Sequence, residues 1–112
     1  MNEVKPIVVT DDETGMEFTL EFNRESVRFA ESRGFKILDV GDYPMTKIPE
    51  LWFYAFRMHH KNVARAKTDA LLYGLGGIPD GLLERLGELY AAPFSVLTDG
   101  QTDENPRATV RL

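Results

Sequence analysis

No cysteine occurs anywhere in these 112 residues. That excludes a disulfide framework, a thiolate nucleophile and any cysteine-ligated zinc or iron-sulfur site. A reducing compartment suits such a chain. No run approaches the ~20 consecutive apolar residues that a membrane-spanning helix needs. Met1 to Asp12 shows no basic stretch followed by an apolar one, so neither export nor membrane insertion is expected. Basic charge is scarce too: 13 Lys and Arg stand against 18 Asp and Glu, for a formal net charge of -5. Nucleic-acid binding, which needs a surplus of cations facing phosphates, is therefore disfavoured. One interval departs from this balance. No acidic residue lies between Glu50 and Asp69, whereas Arg57, Lys61, Arg65 and Lys67 do. Two readings of that interval stand side by side, a solvated helix face and a patch complementary to an acidic partner.

The patterning that is present predicts an α+β fold, an N-terminal β-hairpin packed on a small bundle of three or four helices, within a single domain over residues 1–97. Lys5 to Thr10 reads as a β-branched strand. Met16 to Phe22 alternates, with Met16, Phe18, Leu20 and Phe22 on one face and Glu17, Thr19 and Glu21 on the other. Gly15 is free to take the positive φ of a hairpin turn. Asn23 predicts an N-cap for a helix to Arg33, with Gly34 at its C-terminal end. A second helix is expected after Thr46 or Ile48, with Pro49 in its first turn, running to about His60. Asn62 would cap a third helix from Val63 to Leu75, and one continuous helix is the alternative. Gly74, Gly76 and Gly77 stop what precedes them. Pro79-Asp80 then opens a last helix carrying Leu82, Leu83, Leu86, Leu89 and Tyr90. The predicted core is Phe18, Leu20, Phe22, Val27, Phe35, Trp52, Phe56, Leu71, Leu86 and Leu89. Residues 98–112 lack apolar periodicity and carry Gly100 and Pro106, which predicts a disordered tail.

Candidate chemistry is thin. His59 and His60 are adjacent, so on a helix they point about 100° apart and do not converge on a metal as an i, i+4 pair would. The serines sit in no nucleophile elbow. Gly74-Leu75-Gly76-Gly77 lacks the spacing and the terminal Lys of a phosphate loop. Glu17 and Glu21 share a strand face that reads as open to water, with nothing there to raise a carboxyl pKa. No catalytic, cofactor-binding or metal-ligating set emerges. The informative stretch is Leu51-Trp52-Phe53-Tyr54-Ala55-Phe56. At 100° per residue it spreads apolar surface around most of a helix, so the helix is either wrapped on several sides or left open to another chain.

Four stretches, Met16–Arg24, Phe29–Phe35, Pro49–His60 and Leu82–Tyr90, together resemble the tail assembly chaperones of long-tailed, siphovirus-type phages and prophages. The resemblance covers Met16 to Ala91. It implies a non-enzymatic protein without cofactors. Such a protein would act in the host bacterial cytoplasm, bind the tape measure protein, help recruit tail tube protein and be absent from the finished virion. Self-association stays open. The residues expected to meet the partner are Trp52, Phe53, Tyr54, Phe56, Arg57 and Lys61, by the fit of an amphipathic helix to an apolar surface edged with charge. The alternative is another small phage morphogenesis or regulatory adaptor protein. In either case metal analysis of the purified, dialysed chain is expected to find no stoichiometric zinc or iron, and its presence would overturn the non-enzymatic reading.

Overall fold

β-branched residues favour extended backbone. In the computed structural model, which describes residues 4–94 and 111, β1 (Ile7–Thr10) pairs antiparallel with β2 (Glu17–Leu20). Val9 lies opposite Phe18 and Ile7 opposite Leu20, and Val9, Phe18 and Leu20 are buried. At the turn, Gly15 takes a φ of 75° and donates its N–H to the Asp11 carbonyl at 2.7 Å, a conformation that a side chain would penalise. Met16, expected to face inward, is 56% exposed. It precedes the first paired residue of β2 and belongs to the turn.

Helix α1 (Arg24–Ser32) starts where Asn23 predicts. Asn23 Oδ1 accepts from the Ser26 N–H at 2.8 Å, and Ser26 Oγ accepts from the Asn23 N–H at 2.9 Å, a reciprocal capping box. Gly34, at φ 89°, ends it. A 3₁₀ turn at Ile37–Val40 follows Phe35 and Lys36 and leads towards α2.

Helix α2 (Pro44–Phe56) begins earlier than expected. Pro44 takes the first helical position, where a missing N–H costs nothing. Pro49 consequently falls inside the helix, not in its first turn, and has no N–H to offer the Met45 carbonyl. The third helix is separate from the second, and Asn62 does not cap it. The chain runs extended at Ala64, and α3 (Arg65–Gly74) starts from there. Helix α4 (Leu82–Ala91) follows Gly81 instead of Pro79-Asp80 and passes into a 3₁₀ turn at Ala92–Phe94. The architecture is thus an antiparallel hairpin followed by four helices. The expected tail, residues 98–112, lies outside the described residues apart from Arg111. No helix among the described residues is long and apolar enough to cross a membrane.

The core centres on α2. Leu51, Trp52, Ala55 and Phe56 are buried, with Phe18 and Phe22 from the hairpin side, Val27 and Ala30 from α1, Phe35, Leu72 from α3, and Leu86, Leu89 and Tyr90 from α4. Every predicted core residue except Leu71 is in this set or, like Leu20, buried beside it in the hairpin. Leu71 is half-buried and Leu72 holds the inward position, one residue on from the expected one. Trp52 Nε1 donates to the Thr68 carbonyl at 2.7 Å, tying α2 to α3. Tyr90 packs edge-on against Phe22 and Phe35, with ring centroids 5.0 and 5.7 Å away. Its hydroxyl has no hydrogen-bond partner among the described residues. Desolvation, and to a lesser degree Glu31, pushes its pKa up to about 12.

The hairpin is fastened to the end of α2 by the outer edge of β2. The Glu21 N–H donates to the Ala55 carbonyl at 3.0 Å, and the Thr19 N–H donates to His60 Nε2 at 2.9 Å. His59 Nε2 and Glu21 Oε1 are 2.9 Å apart. The ring of Phe18 packs edge-on against His60 at 5.1 Å. On the far side, Lys67 of α3 bonds to the buried Asp11 carboxylate. That bond, with the Glu13 N–H as a lesser cause, holds the Asp11 pKa below its ordinary value.

Two outcomes follow. Trp52→Phe removes a buried bond and leaves a gap, so it is expected to cost about 2 kcal/mol or more in urea denaturation, whereas Tyr90→Phe removes an unpartnered hydroxyl and should change stability by no more than about 0.5 kcal/mol. The second concerns pH. As an acceptor, His60 Nε2 carries no proton, and burial, with neighbouring His59 as a lesser cause, holds the His60 pKa below the ordinary 6.5. A base with a depressed folded pKa takes its proton more readily when unfolded. Its stabilisation is therefore present above pH 6.5 and is lost as pH falls through the folded-state value. The urea midpoint should fall between about pH 7.5 and about pH 5, and His60→Phe should show a smaller fall. An equal fall in both proteins would assign the acid sensitivity to other groups.

Candidate functional site

Of the six residues expected to meet a partner, two are placed elsewhere. Trp52 and Phe56 are both 0% exposed. Phe56 is wedged between Phe18 and Trp52, with ring centroids 5.6 and 5.5 Å away. A side chain enclosed on all sides offers a partner nothing, so these two belong to the core. The reason is the circumference already noted: α2 is apolar on several sides, and the hairpin, α3 and α4 cover the sides that carry Trp52 and Phe56.

The other four remain accessible in different degrees. Phe53, Tyr54 and Arg57 are half-buried and Lys61 is exposed. Tyr54 leans on Phe35 at 5.6 Å and Phe29 at 6.1 Å. Arg57 lays its guanidinium 3.5 Å from the centroid of Phe29, a cation–π stack. Phe53, Arg57 and Lys61 come together with Phe29, His60 and Val63 around a notch of about 40 Å³. Arg33 approaches the same Phe29 ring at 4.8 Å, and Arg65 stands 5.7 Å from Phe53. In sequence Arg33 reads only as a wet helix residue. Its spacing of four from Phe29 is the signal available, since residues i and i+4 share a helix face.

A second accessible surface has no counterpart among the sequence expectations. Between the start of α2 and the end of α3 lies an apolar groove of about 200 Å³, lined by Pro44, Met45, Ile48, Pro49, Leu72, Tyr73, Gly77 and Ile78. Met45 is 87% exposed, Tyr73 70% and Ile78 46%, and Tyr43 beside Pro44 is 63% exposed. In sequence Tyr43, Pro44 and Met45 precede the expected start of the second helix, and Gly77 and Ile78 fall between the third helix and the last, where the periodicity that marks helix faces does not apply. Bulky apolar side chains beside two prolines are the signal that could have found them.

A third cavity of about 250 Å³ adjoins the hairpin turn and is lined among others by Val9, Asp11, Lys67 and Leu71. Its Asp11 and Lys67 are paired with each other. Among the described residues no three His, Asp or Glu side chains gather as a metal ion would require. What these surfaces offer chemically is contact: apolar burial at the groove, and stacked guanidinium groups at the notch.

Compared with curated proteins and with solved structures, the chain matches none. One family model matches it over residues 1–112, and by that match the chain belongs to the family described as a domain of unknown function, DUF5055.

Proposed function

We propose that this chain is a phage tail assembly chaperone that binds the tape measure protein and helps bring tail tube subunits to it. It works by binding, not by catalysis, in the host bacterial cytoplasm, and it leaves before the virion is complete. The observation that carries the reading is the apolar groove between α2 and α3, with Met45 and Tyr73 standing 87% and 70% exposed beside it. Isolated apolar residues at a surface need no explanation, but several around one concavity mark a contact site. A chaperone for long apolar helices needs such a place, where a few side chains of an amphipathic helix enter the groove and the rest of the helix lies across its rim. The resemblance of Met16 to Ala91 to tail assembly chaperones supports the same reading. The groove takes over the role expected of Trp52 and Phe56, while Phe53, Tyr54, Arg57 and Lys61 remain as a second contact.

Co-expression with a tape measure fragment from the same genome tests this. Met45→Glu and Tyr73→Glu lie at exposed positions and should leave the circular dichroism spectrum unchanged. Each is expected to reduce capture of the fragment at least about tenfold, since a charge cannot enter an apolar contact without a partner. Loss of capture in Phe53→Glu alone, with the fold intact, would move the contact to the other end of α2. Failure of the unaltered chain to capture any tape measure fragment would sink the chaperone reading and favour another morphogenesis or regulatory adaptor.

A further inference from the structure

The chemistry not yet accounted for lies where two helices end. Arg33 is the C-terminal cap of α1 and Arg57 that of α2, and both direct a guanidinium to the ring of Phe29, at 4.8 and 3.5 Å from its centroid. Lys61 shares the rim of the adjoining notch with Arg57, and Arg65 stands 5.7 Å from Phe53 across it. Arg65 is matched by Asp69 at 3.0 Å. Arg33, Arg57 and Lys61 enter none of the ion pairs found among the described residues.

What distinguishes these cations from others that pair with no carboxylate among the described residues is that Arg33 and Arg57 converge on one ring and Arg57 and Lys61 on one notch. The helix dipoles supply part of an account, because a cation is favoured at a helix C-terminus. That explains tolerance of the charge but not its arrangement. A guanidinium drawn to a ring face by its charge keeps its N–H donors for a further partner and loses part of its side-chain freedom beforehand. Two guanidinium groups at one ring bring together donors of the kind that bind carboxylates in paired hydrogen bonds.

We infer that this surface binds an acidic segment of a partner protein. Its Asp or Glu carboxylates are taken by Arg33 and Arg57 with Lys61 beside them, and a neighbouring apolar side chain rests in the notch between Phe29 and Phe53. A carboxylate segment fits better than nucleic acid. The cationic cluster is small and sits in a molecule of net charge -5, whose field opposes a polyanion at every phosphate beyond the cluster. Arg57 and Lys61 are also the second contact of the chaperone reading, but the inference is argued from their geometry with Arg33 and Phe29 and stands whether or not the groove at the other end of α2 binds a tape measure protein.

The test is fluorescence anisotropy on the full chain with three labelled probes: a peptide alternating Glu and Leu, the same peptide with Lys for Glu, and single-stranded DNA of equal charge. The Glu peptide is expected to bind, more weakly as salt rises, and the Lys peptide is not. Losing both guanidinium groups in Arg33→Gln/Arg57→Gln should weaken the Glu peptide about tenfold or more. Arg57→Lys should weaken it too although the charge is kept, and Lys61→Gln should do so by about two- to threefold. Circular dichroism accompanies each variant. Should the double variant lose its fold, the exposed Lys61 and the charge-conserving Arg57→Lys decide the matter. Absence of binding, indifference to every substitution, or tighter binding of the DNA would each overturn the inference.

Discussion

A two-stranded sheet leaves both of its outer edges without strand partners, and an α-helix leaves its last carbonyls without helical ones. In this molecule each defect meets the other. The outer edge of β2 offers the N–H of Thr19 and the residue just after the strand that of Glu21, and the end of α2 offers the Ala55 carbonyl and, one turn on, His60 Nε2. A hairpin of this length is barely stable alone in water. Docked here, it gains hydrogen bonds for its exposed backbone and a cover for Val9, Phe18 and Leu20 in the same step. The helix gains a terminus that is satisfied by protein and a wall for Phe56. Without the docking the hairpin loses its cover and α2 loses one of several walls, the others being α3 and α4.

The placement of the hairpin decides what else α2 needs. With the hairpin at its C-terminal half, α3 joined through Trp52 and Thr68, and α4 meeting it with Leu86 and Leu89, the Leu51–Phe56 stretch is covered on most sides. The N-terminal half is covered only in part. There Pro49 is buried and Ile48 packs against the core, but Pro44 and Met45 stay exposed at the rim of the groove they share with the last turn of α3 and the loop after it. The groove is the part of an apolar helix that no further element among the described residues covers, and the core is concentrated on the other half.

The sequence is a good guide wherever a local signal is also a strong one. Alternation in β2, the Asn23 cap, the left-handed glycines at 15 and 34 and the leucine spacing of α4 all correspond to structure, because each depends on residues close in the chain. Helix starts are less legible. Pro49 reads as a first-turn residue until Pro44, five residues earlier, is seen to fill that role. Asn62 reads as a cap, yet it lies in a turn, Val63 packs against the core and the chain is extended at Ala64. The aromatic run tells that α2 is wrapped but not on which sides, since that depends on contacts between residues distant in sequence. The two histidines show this most clearly. As neighbours on a helix they have no common target, but past its end they face β2 and the residue after it, which lie 41 and 38 residues away in the chain.

The two accessible surfaces lie at opposite ends of one rigid element, and that separation has consequences. Met45 and Arg57 are apart by about 18 Å at the 1.5 Å rise of a helix. A single partner engaging both must carry an apolar stripe and an acidic stretch at that distance, about twelve residues along a helix or about five along an extended chain. The energetics differ as well. Apolar burial in the groove is nearly indifferent to ionic strength, while carboxylates on stacked guanidinium groups are screened over about a nanometre at 0.1 M salt. A partner held at both ends would keep the first contact and lose the second as salt rises, so its affinity would fall to a plateau. Two independent partners would part company, one leaving with salt and the other staying. The rigid span of α2 thus makes the question of one partner or two a matter of geometry and salt response, whatever the identity of either partner.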